Sequence, residues 1–492
     1  MSLQVSTRLQ YRIRAWRAAK LLVVIGLCLG TGPALRGDGG VFTSTKHGDP
    51  ITGVQRLTGV DYPRGACVQC HYQHASAEGS ATGPAEPYGL FAPDDNDLCS
   101  SVACHSGTSA NHLYQGRTAY DLGGHATALN AVWPGPTPWA RRSSDSGKCI
   151  TCHDPHGYAD TQGLIPSLGL AREEKLCLTC HDGSPANTDI QSEITRTYRH
   201  PAGTITGKHL APEGGDATRF GQTNRHSECE DCHNSHTLRQ QFAPPTAPTA
   251  SAALRGVSYL QVVNGAAWTM PAYLYHASDD PSPISYEYQL CFKCHSSWTT
   301  LPAASPSGRP PTDKAKEFNP NNLSYHPVEA VGKQTGAVIT ASLLPPYTAA
   351  SLLLCSDCHR SDDATAPRGP HGSNNPYLLR DYYATTESSA TYSATDYALC
   401  FRCHRETALL SNSNTNFPDH KRHLQRTNGD QPYLPRCVSC HGNTHGSSRK
   451  RLVDFSYEPH LTFVAWTSKE DGGGTGRCSL TCHGHPHNNK AY

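Results

Sequence analysis

Histidine follows the second cysteine of every cysteine pair in this chain, ten times in ten. Eight pairs have the spacing Cys-x-x-Cys-His. They are Cys67/Cys70 with His71, Cys149/Cys152 with His153, Cys177/Cys180 with His181, Cys229/Cys232 with His233, Cys291/Cys294 with His295, Cys355/Cys358 with His359, Cys400/Cys403 with His404 and Cys437/Cys440 with His441. Two pairs are stretched: Cys99/Cys104 with His105, and Cys478/Cys482 with His483. Cys28, the remaining cysteine, lies in the N-terminal apolar run.

Exported cysteines usually form disulfides, and Cys-x-x-Cys pairs also build zinc sites. Neither chemistry requires a histidine after each pair. With 28 histidines in 492 residues, chance would place all ten with a probability of roughly one in a trillion, whereas the attachment signature of c-type haem demands them. Two thiols form thioethers with the two vinyl groups of one porphyrin, and the next residue supplies the proximal nitrogen to the iron. The sequence therefore implies ten covalently bound c-type haems. The stretched pairs are less specific, and a local disulfide stands as their alternative.

The motifs repeat as five doublets, named by first cysteine: 67/99, 149/177, 229/291, 355/400 and 437/478. Leucine precedes the second motif in four of them, at Leu98, Leu176, Leu290 and Leu399. A further histidine trails the first motif: His74, His156, His236, His445 and, delayed to a Gly-Pro-His-Gly, His371. It cannot easily swing to the far face of its own haem, but it can reach the iron of a neighbour. A second recurrent histidine follows the second motif: His125, His200, His326, His423 or His420, and His487. These are natural distal ligands for the second haems. Only Met1 and Met270 are present, so Met ligation is excluded for at least nine haems, and His/His ligation lowers potential relative to Met/His. Among the surplus histidines, His47, His209, His226 and the other of His420/His423 are alternative ligands, while His112, His276, His460 and His485 have no assignment.

Such a chain has little else to fold around. Hydrophobic residues are 37%, with 43 Gly and 36 Pro, which is poor material for large apolar cores. The expected fold is coil and turns with short helices and a small β-hairpin, wrapped around a continuous haem chain. A helix is expected near Ala171–Cys180, a hairpin over Val257–Val263 and Ala272–Tyr275, and loops at Gln241–Ala252 and Pro302–Pro311. Residues 1–34 read as a signal peptide, because Arg8, Arg12, Arg14, Arg17 and Lys20 precede a short apolar run and small residues. No later segment is apolar enough to span a bilayer, so the mature chain is expected to have no transmembrane segment. The modules run 35–148, 149–228, 229–354, 355–436 and 437–492, as parts of one body. Net charge is +1, which makes no electrostatic case for nucleic acid.

The stretches CITCHDPHG…KLCLTCH, DKAKEFNPNNLSYHPVEA, CSDCH…GPHGS and FPDHKRH…CVSCHGNTHG…CSLTCHGHPH resemble the doubled-CxxCH multihaem cytochromes. They are similar to secreted outer-surface members from metal-reducing bacteria. KHGD…GACVQCHYQHAS is similar to the start of members that polymerise into cytochrome nanowires. The resemblance implies bis-histidine haems in an unbroken chain and respiratory electron export, with His74, His156, His236, His371 and His445 as distal ligands. It also implies an early histidine, His47, that reaches across a subunit boundary.

The expected function is electron transfer, without catalysis, outside the cytoplasm: extracellular or on the outer surface, with the periplasm as alternative. Partners by resemblance are other cytochromes as donors, further copies in a filament, and an acceptor such as metal oxide. An outer-membrane barrel enclosing a periplasmic conduit is a variant. The competing class is an oxidoreductase of the nitrite or hydroxylamine type with one open-site haem. Such enzymes often mark that haem by Lys in place of the motif histidine, and all ten motifs here keep His. A haem store is a third class.

Overall fold

The computed structural model describes residues 36–37, 40–59, 62–71, 89–92, 95–101, 104–105, 116–132, 146–156, 174–202, 227–240, 243–278, 283–299, 301, 311–386, 391–411, 417–425, 434–456, 458–468 and 476–492. The signal-peptide reading of 1–34, most of the Pro302–Pro311 loop, and His74, His112, His209 and His226 lie outside them. Internal contacts divide the chain into two units, 1–112 with 135–170, and 113–134 with 171–492. Among the described residues no helix is long and apolar enough to cross a membrane.

The first unit is built from loops pinned by polar side chains. Gln69 is fully buried. Its amide nitrogen donates to the carbonyls of Leu57, Tyr62 and Pro63, and its oxygen accepts from the Leu57 amide at 2.7 Å. Buried Asn96 donates to the Gly147 carbonyl at 3.0 Å and accepts from the Cys149 amide at 2.7 Å. One side chain thus satisfies two backbone groups and holds the third cysteine pair beside the helix that opens the second.

The second unit contains the apolar packing. Strands Tyr259–Val263 and Ala272–His276 pair antiparallel, Tyr259 opposite His276 and Val263 opposite Ala272. This is the expected hairpin, with its first strand starting at Tyr259 rather than Val257 and its second extended by one residue to His276. The 9-residue helix Glu287–His295 packs against it. Leu260, Phe292, Ala315, Phe318 and Val328 form one buried cluster, and Val257, Tyr259, Ile284 and Leu290 a second. Lys293 lies in the same helix and is buried, with its ammonium donating to the Asp231 carbonyl at 2.9 Å and the Ser258 hydroxyl at 2.8 Å. Asp313 caps the helix Lys314–Phe318 by accepting from the Lys316 amide at 2.8 Å. It also accepts from the Ser297 amide and the Tyr273 hydroxyl.

Among the described residues the other α-helices run four to six residues, many of them placed on the cysteine pairs, such as Cys229–Cys232, Cys355–Cys358 and Cys437–Cys440. The helix expected near Ala171–Cys180 is Glu174–Leu178. The described part of Gln241–Ala252 is irregular up to the turn of 3₁₀ helix Ala252–Leu254. One element was not expected. Strands Leu461–Thr467, Arg477–Cys482 and His485–Ala491 form a three-stranded antiparallel sheet at the C-terminus, with Arg477–Cys482 in the middle. The alternating run LTFVAWT carries a strand signal, and it draws the last cysteine pair into extended structure.

Candidate functional site

The cysteine pairs share a local geometry that presents the following histidine. The amide of the motif histidine donates to the carbonyl of the first cysteine in eight cases, His71 to Cys67, His105 to Cys99, His153 to Cys149, His181 to Cys177, His233 to Cys229, His359 to Cys355, His404 to Cys400 and His441 to Cys437, all between 2.8 and 3.0 Å. His295 ends the helix Glu287–His295. A closed turn of this kind puts both thiols and the imidazole on one side of the backbone, where a single flat ligand can meet all three.

Facing these rings are others from distant sequence. Ring centres lie 6.0 Å apart for His47 and His105, 5.8 Å for His71 and His156, and 6.1 Å for His125 and His181. They lie 6.1 Å apart for His200 and His295, 6.2 Å for His233 and His371, 6.4 Å for His326 and His404, and 6.2 Å for His359 and His445. Interplanar angles run from 15° to 64° without changing the separation. Direct aromatic contact does not behave so, because its distance follows its tilt. A shared axial metal does: two metal–imidazole bonds of about 2 Å and a ring radius of about 1.1 Å at each end fix the centres about 6 Å apart and leave the torsion free. The residues therefore fit an iron porphyrin between each pair of rings.

Protonation agrees with this use. Burial pushes His371 down to about 3 and His181, His359, His404 and His420 down to about 4, so these rings are neutral at pH 7. Carbonyl oxygens can only accept, so a ring nitrogen bonded to one carries the proton. Nδ1 of His233 donates to Ala253, of His359 to Tyr377, of His441 to Leu452 and of His423 to Asp419, each on the carbonyl. That leaves the Nε2 lone pair for the metal.

The opposing rings are delivered by a repeated clamp. His47 donates from Nδ1 to the carbonyl of Pro155, the residue before His156, at 3.2 Å. His125 does the same to Ser235, the residue before His236, and His326 to Thr444, the residue before His445. The His200 ring bonds the backbone of Pro370, the residue before His371. Each clamp joins segments more than a hundred residues apart. Two of them are also two-residue sheets: Tyr198–Arg199 pairs with Gly372–Ser373, and Ser324–Tyr325 with Gly446–Ser447. The glycine after the histidine permits the approach, since a Cβ at Gly372 would meet the Glu193 carbonyl oxygen at 1.8 Å and one at Gly446 the Glu317 oxygen at 1.9 Å. An Asx turn aims the trailing ring in three clamps, with the amides of His156, His236 and His445 donating to Asp154, Asn234 and Asn443.

The clamps serve both motifs of one doublet. His371 and His200 face the doublet 229/291, and His445 and His326 face 355/400. His156 and His47 face 67/99. The trailing histidine thus serves the preceding doublet, and the histidine after a second motif serves the following one. His47, a candidate bridge by resemblance and an alternative ligand by count, faces His105 of its own chain. His236 occupies the clamp position with its ring 6.3 Å from Tyr120. His423 and His487, expected at different haems, face each other at 6.3 Å. His420 lies within electrostatic range of His441. His460, which had no expected role, stands 5.0 Å from His483.

From the fifth to the tenth, and between the first two, successive cysteine pairs lie near each other. The Cys291 thiol hydrogen-bonds Cys355, and Cys400 hydrogen-bonds Cys437. Cys232 lies within electrostatic range of Cys291 and Cys294, Cys358 of Cys400 and Cys403, Cys440 of Cys478 and Cys482, and, in the first unit, Cys70 of Cys104. Groups attached at these sulfurs would lie close to one another.

Cysteine turns that present a proximal imidazole, with a second imidazole an iron's width away, define a protein that binds several c-type haems. Residues 143–186 and 345–409 match the family described as the doubled CXXCH motif. The matched motif indicates a multihaem c-type cytochrome, and c-type cytochromes lie outside the cytoplasm. No curated protein and no solved structure matches it.

Proposed function

We propose that the protein binds ten haems through Cys67, Cys70, Cys99, Cys104, Cys149, Cys152, Cys177, Cys180, Cys229, Cys232, Cys291, Cys294, Cys355, Cys358, Cys400, Cys403, Cys437, Cys440, Cys478 and Cys482, and passes electrons along them. The iron ligands are paired as His71 with His156, His105 with His47, His181 with His125, His233 with His371, His295 with His200, His359 with His445 and His404 with His326. His153 is proximal to its haem, and His236 supplies a distal ring by its place in the clamp repeat. His441 takes His420. The observation that carries this reading is the constant ring separation, 5.8 to 6.4 Å, across pairs whose tilt varies fourfold.

Both faces of such an iron are filled, which favours outer-sphere electron transfer over turnover of a bound substrate. Contact between successive attachment sulfurs supports short hops between haems. Export, and delivery of electrons to an extracellular acceptor such as a metal oxide with other cytochromes as donors, extend the same reading, as does assembly into filaments. Because His47 has a partner within its own chain, filament assembly does not need it as a bridging ligand.

Intact mass and electron paramagnetic resonance of the secreted protein test the proposal. The expected result is the polypeptide plus ten haems, all low-spin. A high-spin ferric signal in the wild type would favour the open-site oxidoreductase instead, and a mass with far fewer haems would end the reading. Electron microscopy of the same sample then separates filaments from discrete particles.

A further inference from the structure

Four guanidiniums gather at the doublet 355/400 around two carboxylates. Arg402 grips Asp381 through Nε at 2.6 Å and Nη2 at 3.0 Å, and Arg380 Nε lies 3.3 Å from the same carboxylate. Arg368 pairs with one oxygen of Asp357 at 2.7 Å, while the other accepts from the Leu354 amide at 2.8 Å. Arg360, which directly follows the motif histidine His359, has no ion pair among the described residues. The next carboxylates along the chain, Asp362 and Asp363, are engaged by Arg196 at 3.0 and 3.7 Å. Burial pushes the pKa of Arg360 down, and the charges of Arg380, Arg368 and Arg402 push it further, yet a guanidinium keeps its proton in a protein. Arg360, Arg368, Arg380 and Arg402 thus set four positive charges against the two negative charges of Asp357 and Asp381.

The excess charge lies on attachment cysteines. The Arg380 amide donates to the Cys358 carbonyl at 2.9 Å, and its guanidinium is within electrostatic range of the Cys358 and Cys403 thiols, as Arg402 is of Cys403. Those cysteines belong to the two motifs of one doublet, so a single patch of charge covers two attachment edges. The thioethers of a c-type haem take two adjacent pyrroles and the propionates the other two. Arginines packed on the cysteines therefore lie away from the carboxylates of the haems those cysteines hold. Side-chain exposure falls from 42% at Arg402 to 14% at Arg380. A patch that opens to water through one guanidinium admits a small ion, and offers little of the roughly 800 Å² that a protein partner covers.

We propose that this cluster is a docking point for a small anionic electron acceptor, which takes one electron from the haems of the doublet 355/400. No bond is made or broken: one iron passes from ferrous to ferric, and the acceptor gains one unit of negative charge. The uncompensated guanidinium charge raises the local concentration of the anion and its rate of encounter. This rests on the reading that both cysteine pairs carry haem and pass electrons.

The test uses the full chain, loaded with haem, reduced, and mixed in a stopped-flow instrument with ferricyanide, a trivalent anion, or with hexaammineruthenium(III), a trivalent cation. Arg360→Gln removes a charge without orphaning a carboxylate, and Arg360→Lys keeps it. Lys333→Gln makes the same change of charge at an exposed site outside the cluster. At an ionic strength of about 0.01 M, ferricyanide is expected to oxidise Arg360→Gln about five- to tenfold more slowly than the wild type. The gap should close at about 1 M, where the Debye length has fallen from about 30 Å to about 3 Å. Arg360→Lys and Lys333→Gln should keep the wild-type rate, and the cation should oxidise Arg360→Gln no more slowly than the wild type. Equal ferricyanide rates for Arg360→Gln and the wild type overturn the proposal; if one haem midpoint shifts as well, the arginine belongs to a propionate of a neighbouring haem. A loss shared with the cation, or with Lys333→Gln, also overturns it, since the first reads a disturbed haem and the second only net charge. A reduced protein that yields electrons to neither reagent would bring down the electron-transfer reading itself.

Discussion

Among the opposed rings whose second nitrogen is placed, His445 has the nearer carboxylate partner, since His156 Nδ1 lies 3.5 Å from Asp154. The His445 Nδ1 lies 3.1 Å from the Glu317 carboxylate, where most of the others meet a carbonyl. Burial raises the pKa of Glu317, but the hydrogen bond from His445, together with Lys314 at 2.8 Å, outweighs that and holds the carboxyl below its usual range. An ionised carboxylate on Nδ1 draws the proton from the ring and makes Nε2 a more basic ligand. More electron density at iron stabilises the ferric state, so the haem between His359 and His445 should have a lower potential than it would with a carbonyl partner. Glu317→Gln keeps the shape and removes the charge. One haem's midpoint is expected to rise by on the order of 50 mV, the one-electron equivalent of a roughly tenfold change in ferric preference. Spectroelectrochemical titration would show one step of the series displaced. An unchanged series, with the variant still fully low-spin, would leave the carboxylate a purely structural role.

At the scale of elements, the two-residue sheets matter more than their size suggests. Ser324–Tyr325 and Gly446–Ser447 hold His326 and His445 next to each other, and those rings face His404 and His359, the two motif histidines of one doublet. A methyl at position 446 would lie 1.9 Å from the Glu317 oxygen, a backbone atom that cannot rotate away. Gly446→Ala should therefore open the clamp, destabilising the fold by about 2–3 kcal/mol and exposing two haems to ligand loss together. Gly332→Ala, where a Cβ would meet nothing nearer than 4.0 Å, is the control. Denaturant unfolding with spin-state measurement reads both effects; a variant as stable and as low-spin as the control would remove the clamp from the account. These elements also mark the limit of what the sequence discloses. The turns at Cys355–Cys358 and Cys437–Cys440 and the recurrence of His371 and His445 are local, and reading along the chain finds them. The partners of those histidines are decided by pairings such as His326 with Thr444, 118 residues away, which no local pattern encodes. The facing of His47 and His105 within one chain is of the same kind. At the C-terminus the failure is of another kind: Cys-x-x-x-Cys-His looks like the other motifs, but the alternating strands beside it override the turn.

For the whole molecule, the question is what remains when the porphyrins are taken away. Among the described residues of the first unit no apolar side chain is buried; Thr45, Gln69, Asn96 and Asp154 are. In the second unit the two apolar clusters draw their buried members from residues 257–328 alone. Ordering a residue costs about 1–2 kcal/mol of conformational entropy, and burial returns about 25 cal/mol for each Å² of apolar surface. The first unit, with buried groups that are carboxamides, a hydroxyl and a carboxylate, cannot meet that cost from its own described side chains, and the second unit meets it in part, most of all over 257–328. The deficit falls on the covalent tethers, the axial bonds and the large apolar faces of the haems. Protein made in cells without the haem-attachment machinery is therefore expected to show a coil spectrum in the far ultraviolet and no cooperative melt. Limited proteolysis should cut 42–156 at once, and any protected fragment should map to 257–328. A haem-free chain that melted cooperatively, with 42–156 protected, would show that the polypeptide carries a core of its own. The haems would then be passengers in a fold rather than its interior, and the tight spacing on which fast electron hopping depends would need another cause.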